Sequence, residues 1–255
     1  MENVVQTQYR SADKLNTRIS LHDKYSVNKQ GFGNWIASHY EIRPGMSLLE
    51  LGCGTGDMWR GREDLIRRCG RFVLSDCSAG MLASARETLS GCPEIEFRII
   101  DIQEIPFPGR SFDIVIANMM LYHVPDLANG LGEVRRVLKD GGRFYCATYG
   151  ENGMMAYIGR LFAEQHVEAR INTSFTLQNG ESRLKPFFSG VERFLYEDAL
   201  AVTDLDDLID YIRSLASLSE LQKLPGKTLR AVLEAHMRDG VLHIPKEYGL
   251  FVSTK

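Results

Sequence analysis

The chain has 255 residues, 44% of them hydrophobic and 25% charged, which suits a soluble globular protein and excludes disordered, collagenous and coiled-coil chains. At about 150 residues per domain, that length fits one large α/β domain or one domain with an insertion. Thirty Lys and Arg against 33 Asp and Glu leave a net charge of −3, so a basic face for duplex nucleic acid is not expected.

Residues 1–42 are mixed and polar, and they read as a helical N-terminal cap. Within them Asn34–Tyr40 reads as a short helix that ends before the turn Arg43-Pro44-Gly45. From Met46 the pattern alternates. Met46–Leu51 is an apolar run that stops at Gly52, as a strand buried on both faces does. Asp57 to about Cys69 reads as a helix capped by Asp57. Strands follow at Arg71–Ser75, Ile95–Ile100, Phe112–Ala117 and Arg143–Thr148. Helices separate them at Ser78–Leu89 and at Leu127–Leu138, the second ended by Asp140-Gly141-Gly142. Such alternation means crossover units and a mostly parallel sheet with helices on both faces.

Beyond residue 150 the rhythm changes. Glu151–Glu168 is helix-like, and 151–190 reads as an insertion or lid between the fifth and sixth strands of one domain spanning 1–255. Val191–Tyr196 and Tyr248–Ser253 read as the last strands, with helices at Asp204–Leu215 and Lys227–Arg238 between them. No apolar run reaches the ~18 residues of a membrane span. The N-terminus has no apolar signal core, so a cytoplasmic protein without a membrane partner is expected. Cys53, Cys69, Cys77, Cys92 and Cys146 are odd in number, and no two are spaced as a metal-binding pair. They are expected to be reduced apolar residues, with no metal site.

The sharpest signal is Leu48-Leu49-Glu50-Leu51-Gly52-Cys53-Gly54-Thr55-Gly56-Asp57, an apolar strand running into a glycine-rich turn. Gly52, Gly54 and Gly56 let the backbone reach positive φ and leave no Cβ in a ligand's way. The spacing is G-x-G-x-G, whereas the dinucleotide fingerprint is G-x-G-x-x-G, and this disfavours a nicotinamide-dependent dehydrogenase. Asp76 ends the second strand, where an acid can accept hydrogen bonds from both hydroxyls of a ribose. Asp101 ends the third strand and could take an adenine amino group; Asn118 ends the fourth. Each alone reads equally as a cap or surface residue. Together with Glu50 they stand at the carboxyl ends of adjacent strands, where open α/β sheets bind ligands.

These segments resemble the successive motifs of class I S-adenosylmethionine-dependent methyltransferases. The segments are Glu50–Gly56, Asp76-Cys77-Ser78-Ala79-Gly80-Met81-Leu82, Asp101 with Pro106-Phe107, Phe112-Asp113, Asn118–His123 and Val137–Gly142. The broad ubiquinone/menaquinone-biosynthesis group is the most similar, over about residues 45–150. Asp140 departs from the proline often found there. The resemblance implies a Rossmann-like seven-stranded sheet whose antiparallel last strand lies beside the fifth. It implies S-adenosyl-L-methionine as methyl donor and S-adenosyl-L-homocysteine as product. It also implies residue roles. Gly52, Cys53, Gly54 and Gly56 would line the methionine part, supported by Glu50. Asp76 would hold the ribose, Cys77 and Met81 would flank the adenine, and Asp101 and Ile102 would contact it. Asn118 and Met119 would lie beside the sulfonium.

A general base is needed only if the acceptor keeps its proton at neutral pH. His123, just after the fourth strand, is the best-placed catalytic candidate, with packing as the alternative. Tyr25, in His22-Asp23-Lys24-Tyr25, could reach the donor's carboxylate or simply pack. His22 and His39 read as surface residues, and His166 could face the acceptor. Phe175, Phe187, Phe188, Phe194 and Tyr196 read as core before acceptor pocket. The acidic stretch Glu197–Asp210 reads as a solvated helix face. The expected function is methyl transfer to O, N, S or C of a small molecule. A protein or RNA methyltransferase, and a non-catalytic sensor of the donor, are the alternatives. The sequence is silent on the acceptor and on the oligomeric state.

Overall fold

A computed structural model describes residues 20–165, 171–215 and 218–255. His166 and residues 1–19 of the expected cap lie outside the described residues. The strands are β1 (Ser47–Leu51), β2 (Arg71–Asp76), β3 (Ile95–Ile99), β4 (Phe112–Ile116), β5 (Leu138–Tyr149), β6 (Gly190–Val202) and β7 (Leu242–Thr254). They form one sheet in the order β3-β2-β1-β4-β5-β7-β6. β1 to β5 pair in parallel, and β7 runs antiparallel to both β5 and β6, as expected. The chain steps outward from β1 to β3 and returns to place β4 on the other side of β1. That reversal opens a crevice at the carboxyl ends of β1 and β4.

Alternate residues of each central strand serve opposite faces. Leu49, Leu51, Val115, Phe144 and Phe251 enter one core with Leu131 and Val134 of the helix Leu127–Val137. Leu48, Leu74, Ile116 and Tyr145 enter the other, with Trp59, Ile66, Leu82 and, from the helix Phe32–Ser38, Ile36. Full burial of each such side chain contributes about 1.5–3 kcal/mol. Because both faces are covered, the central strands carry almost no polar residues except at their tips.

Three expected elements differ. The helix expected over 57–69 is a 3-10 turn, Asp57–Trp59, followed by a short helix, Glu63–Arg68. Gly61 at φ 73 breaks it, and Trp59 turns fully into the core. Asp57 therefore caps no long helix. The helix after β4 ends at Val137, and Asp140-Gly141-Gly142 forms an irregularity inside β5 instead. The third difference is the length of β6 and β7. They pair from Gly190 with Thr254 to Val202 with Leu242, while β5 stops at Tyr149 opposite Tyr248. The β6–β7 ribbon therefore continues alone past the carboxyl edge of the sheet.

That projecting ribbon carries a third core. Leu200, Val202, Leu242 and Ile244 pack with Leu208 and Ile212 of the helix Leu205–Ser214 and with Leu229 and Leu233 of the helix Gly226–Glu234. Ile158 of the helix Met154–Leu161 joins them, as do Leu21 and Tyr25. This core thus joins the N-terminal segment, 154–161 and the β6–β7 connection. No helix among the described residues is long and apolar enough to cross a membrane.

Candidate functional site

The glycine turn takes the conformation its sequence allows: φ is 72 at Gly52, 57 at Gly54 and 77 at Gly56. A Cβ at Gly52 would lie 2.9 Å from Cγ of Met120. The turn is tied to the second strand. Cys53 N–H donates to the Ser75 carbonyl at 2.8 Å, and Gly54 N–H donates to Asp76 Oδ2 at 3.0 Å. Ser78 N–H donates to the other oxygen of Asp76 at 2.8 Å, and Ser78 caps the next helix, Ala79–Thr88. Asp76 is only 8% exposed, and burial raises its pKa although both N–H bonds oppose the rise. A carboxylate offers about four lone-pair sites. Two remain, enough for the two hydroxyls of a ribose.

Glu50 is 2% exposed and accepts Trp59 Nε1–H at 2.5 Å. Burial pushes its carboxyl up to about 7; the Trp59 bond opposes this and the Asp76 charge adds to it. Neither Glu50 nor Asp76 forms an ion pair with Lys or Arg among the described residues. Two buried acids thus stand beside the glycine turn without a Lys or Arg partner among the described residues.

Asn118 and Met119 close the far side. Asn118 Oδ1 accepts Ala147 N–H at 3.2 Å, and its Nδ2 donates to Tyr40 Oη at 2.6 Å. Met119 sits at φ 54 with its N–H donating to the Ala147 carbonyl at 2.8 Å. A left-handed conformation in a long side chain stores about 1–3 kcal/mol, and such strain gathers at functional sites. Tyr40 is the residue that sequence reasoning missed. Its ring stacks on Trp59, and burial, then the Glu50 charge, hold its phenol well above the usual range. Its only sequence signal is an aromatic residue between a helix and the first strand.

The adenine candidates are more dispersed. Asp101 is exposed, and its Oδ1 accepts Gln103 N–H at 2.9 Å. The Ile102 side chain is buried against Gly130. Met81 is buried and Cys77 exposed beside Asp76. Tyr25 stands apart from this group: its hydroxyl donates to Asp207 Oδ2 at 2.5 Å within the third core. His123 ends the 3-10 turn Leu121–His123, half-buried, with its ring 4.5 Å from that of Tyr122.

Phe175 and Phe188 are core residues, as read from the sequence. Half-buried Tyr122 and Tyr149 stand at the carboxyl edge, with ring centroids 4.7 Å apart. The 151–190 segment fixes them. Tyr149 Oη donates to the Asn172 carbonyl at 2.7 Å, and Asn172 Nδ2 and Ser174 Oγ donate to the Tyr122 carbonyl at 2.6 and 2.9 Å.

Residues 49–146 match the methyltransferase domain family. The chain is 27% identical to a demethylmenaquinone methyltransferase of Lysinibacillus sphaericus over 202 residues, 72% of this chain and 84% of that protein. Over 126 residues it is 33% identical to the ubiquinone/menaquinone biosynthesis C-methyltransferase UbiE of Hahella chejuensis, covering 48% of this chain and 47% of that one. The crystal structure of the YcgJ protein of Bacillus subtilis shares the fold, with a TM-score of 0.59 at 18% identity across 88% of this chain and 97% of that chain.

Proposed function

We propose that this chain is a class I S-adenosylmethionine-dependent methyltransferase, that its methyl acceptor is a small organic molecule and that the donor lies in the β1/β4 crevice. One observation carries the placement: Glu50 and Asp76, both buried and unpaired, flank a glycine turn at the point where the strand order reverses. When bound, S-adenosylmethionine supplies a methyl group on a cationic sulfur, already activated for in-line displacement.

The protein's part is positioning and exclusion of water, worth up to about 7–11 kcal/mol in a near-attack arrangement. Gly52, Cys53, Gly54 and Gly56 leave room along the turn for the amino-acid part. Asp76 offers its two spare lone pairs to the ribose. Asp101 and the Ile102 backbone face the adenine, between Cys77 and Met81. Asn118 and Met119 border the sulfur, with Asn118 held by Tyr40 and Ala147. Glu50 compensates positive charge. The third core covers the carboxyl edge and keeps water out. The half-buried wall of Tyr122 and Tyr149 suits an acceptor of modest size, and the quinone-biosynthesis relatives point the same way. If the acceptor carries a proton, His123 takes it as the acceptor's electron pair bonds the methyl carbon. A cytoplasmic location belongs to this reading.

Calorimetry with S-adenosylhomocysteine and with NAD tests the donor site. Binding of the former alone is expected, weakened at least about tenfold in Asp76→Ala, which loses two ribose hydrogen bonds. Full affinity in Asp76→Ala refutes the placement. Incubation of labelled donor with metabolite, RNA and protein fractions tests the acceptor, and label in the metabolite fraction is expected. Label in RNA or protein alone overturns the small-molecule reading, and label in none favours a sensor.

A further inference from the structure

The sheet has two outer strands, and they are finished differently. β6 is closed by the N-terminal segment: Ser26 bridges Leu200, Val27 N–H donates to the Ala199 carbonyl at 2.9 Å, and Asn28 Nδ2 donates to the Glu197 carbonyl at 2.9 Å. Ser26 Oγ also accepts from Lys246 Nζ at 2.9 Å, and Lys246 pairs with Asp198, both side chains almost fully buried. His22, expected at the surface, is half-buried there against Tyr211 and Tyr248. β3, by contrast, pairs only with β2 among the described residues. An open edge strand is commonly blunted by Lys, Pro or a bulge. The β3 sequence Ile95-Glu96-Phe97-Arg98-Ile99 has no Lys or Pro, and its register with β2 is unbroken.

Ile100 N–H donates to the Asp76 carbonyl at 3.3 Å, so residues 96, 98 and 100 turn their backbone groups to β2, and residues 95, 97 and 99 turn theirs outward. The Phe97 carbonyl agrees: Arg86 Nη2 reaches it at 3.3 Å from the helix Ala79–Thr88. A carbonyl has two lone pairs, so one remains for a second donor. A groove of about 470 Å³ opens between this helix and the strand, lined mainly by Ala79, Leu82, Ala83, Phe97 and Ile99. Ile99 is 62% exposed, more than any other large hydrophobic side chain among the described residues. The edge thus joins free backbone groups to an apolar strip, and a strip of that kind marks an interaction site.

The side chains select the occupant. From either end the strand runs apolar, charged, apolar, charged, apolar, and reversing it exchanges Glu96 for Arg98. Two copies set antiparallel about Phe97 therefore place Ile95 against Ile99, and Glu96 against Arg98, on both sides of the centre. The outward backbone groups of residues 95, 97 and 99 then face one another. The charged pairs fall at the non-hydrogen-bonded positions, where side chains approach most closely. Ile95 N–H stays with the Cys92 carbonyl at 3.2 Å, so the ladder is carried by Phe97 on Phe97 and by Ile99 N–H on the Ile95 carbonyl. Glu96 is already held in place, accepting from Arg71 at 2.8 Å and from Arg98 at 2.7 Å. A parallel pairing in register would instead set Glu96 on Glu96 and Arg98 on Arg98. We propose that β3 is the docking edge for a second copy of this chain, joined antiparallel about a two-fold axis at Phe97, so that the two sheets run on as one.

Sedimentation velocity of the full chain at rising concentration is expected to show a monomer–dimer equilibrium. Glu96→Arg and Arg98→Glu, each with the wild-type circular dichroism spectrum, set like charges opposite one another twice per dimer. Each should weaken self-association by at least about tenfold. Mixing the two variants should restore dimers, because every facing pair is then of opposite sign. The double variant Glu96→Arg/Arg98→Glu should dimerise alone for the same reason. A wild type that stays monomeric at its highest soluble concentration overturns the proposal, as do single variants that dimerise like the wild type or a mixture that does not associate. If a variant fails to fold, hydrogen exchange of the wild type decides: the Phe97 and Ile99 amides should gain protection as concentration rises. Dimers that leave those amides unprotected, or protection equal at every concentration, as a contact within one chain would give, overturn the assignment.

Discussion

Glu50 offers the most direct measurement of how the site is built. Its carboxyl moves from an ordinary 4.5 to about 7 because it is buried, despite the Trp59 bond. At 1.36 kcal/mol per pKa unit, ionised Glu50 costs the empty folded protein roughly 3 kcal/mol. The folded value lies above the unfolded one, so the folded protein holds the proton more tightly. Stability is therefore full below pH 4.5, falls as pH rises towards about 7, and is flat above. Glu50→Gln removes this titration. Urea unfolding followed by tryptophan fluorescence should find the variant more stable than wild type at pH 8. The gain is up to about 3 kcal/mol, because the shift to about 7 already includes the bond to Trp59. At pH 4.5 the two proteins should be nearly equal. The same variant should lose affinity for S-adenosylmethionine by about tenfold more than for S-adenosylhomocysteine, since only the former carries the sulfonium charge. An equal stability difference at both pH values refutes the burial argument. An equal loss for both ligands refutes the charge-matching one.

Two further outcomes follow from the packing. Gly52→Ala places a methyl group 2.9 Å from Met120 Cγ at φ 72, and should lower stability by about 1–3 kcal/mol and impair S-adenosylhomocysteine binding; Met120→Ala should restore part of both, read by thermal melting and calorimetry. Lys246→Met strands Asp198 in the interior and should cost about 3–5 kcal/mol in urea unfolding. Adding Asp198→Leu should recover much of that loss.

The parallel half of the sheet was legible because burial on both faces turns β1, β2 and β4 into short apolar runs that leave polar residues only at the tips. For the same reason Glu50, Asp76 and Asn118 could be singled out and are brought together. Contacts remote in sequence were not legible. Tyr40 meets Asn118 across 78 residues, and Tyr25 meets Asp207 across 182. Nothing local to either tyrosine encodes its partner. Asp198 reads with its acidic stretch as a solvated charge; only the pairing of β6 with β7 puts it beside Lys246. The helix expected at 57–69 is interrupted because Gly61 takes a positive φ and Trp59 is drawn into the core, which Asp57 as a cap does not reveal.

The continuity of β6 and β7 has a mechanical consequence. The two strands cross from the sheet into the third core without a break in their pairing, so sheet and cover share a girder and no flexible joint separates them. The cover cannot swing as a rigid flap. Traffic through the crevice must be admitted by the pieces fastened only along their sides, the N-terminal segment at 20–31 and the segments at 151–165 and 171–189, while the girder keeps the rest aligned over the strand ends.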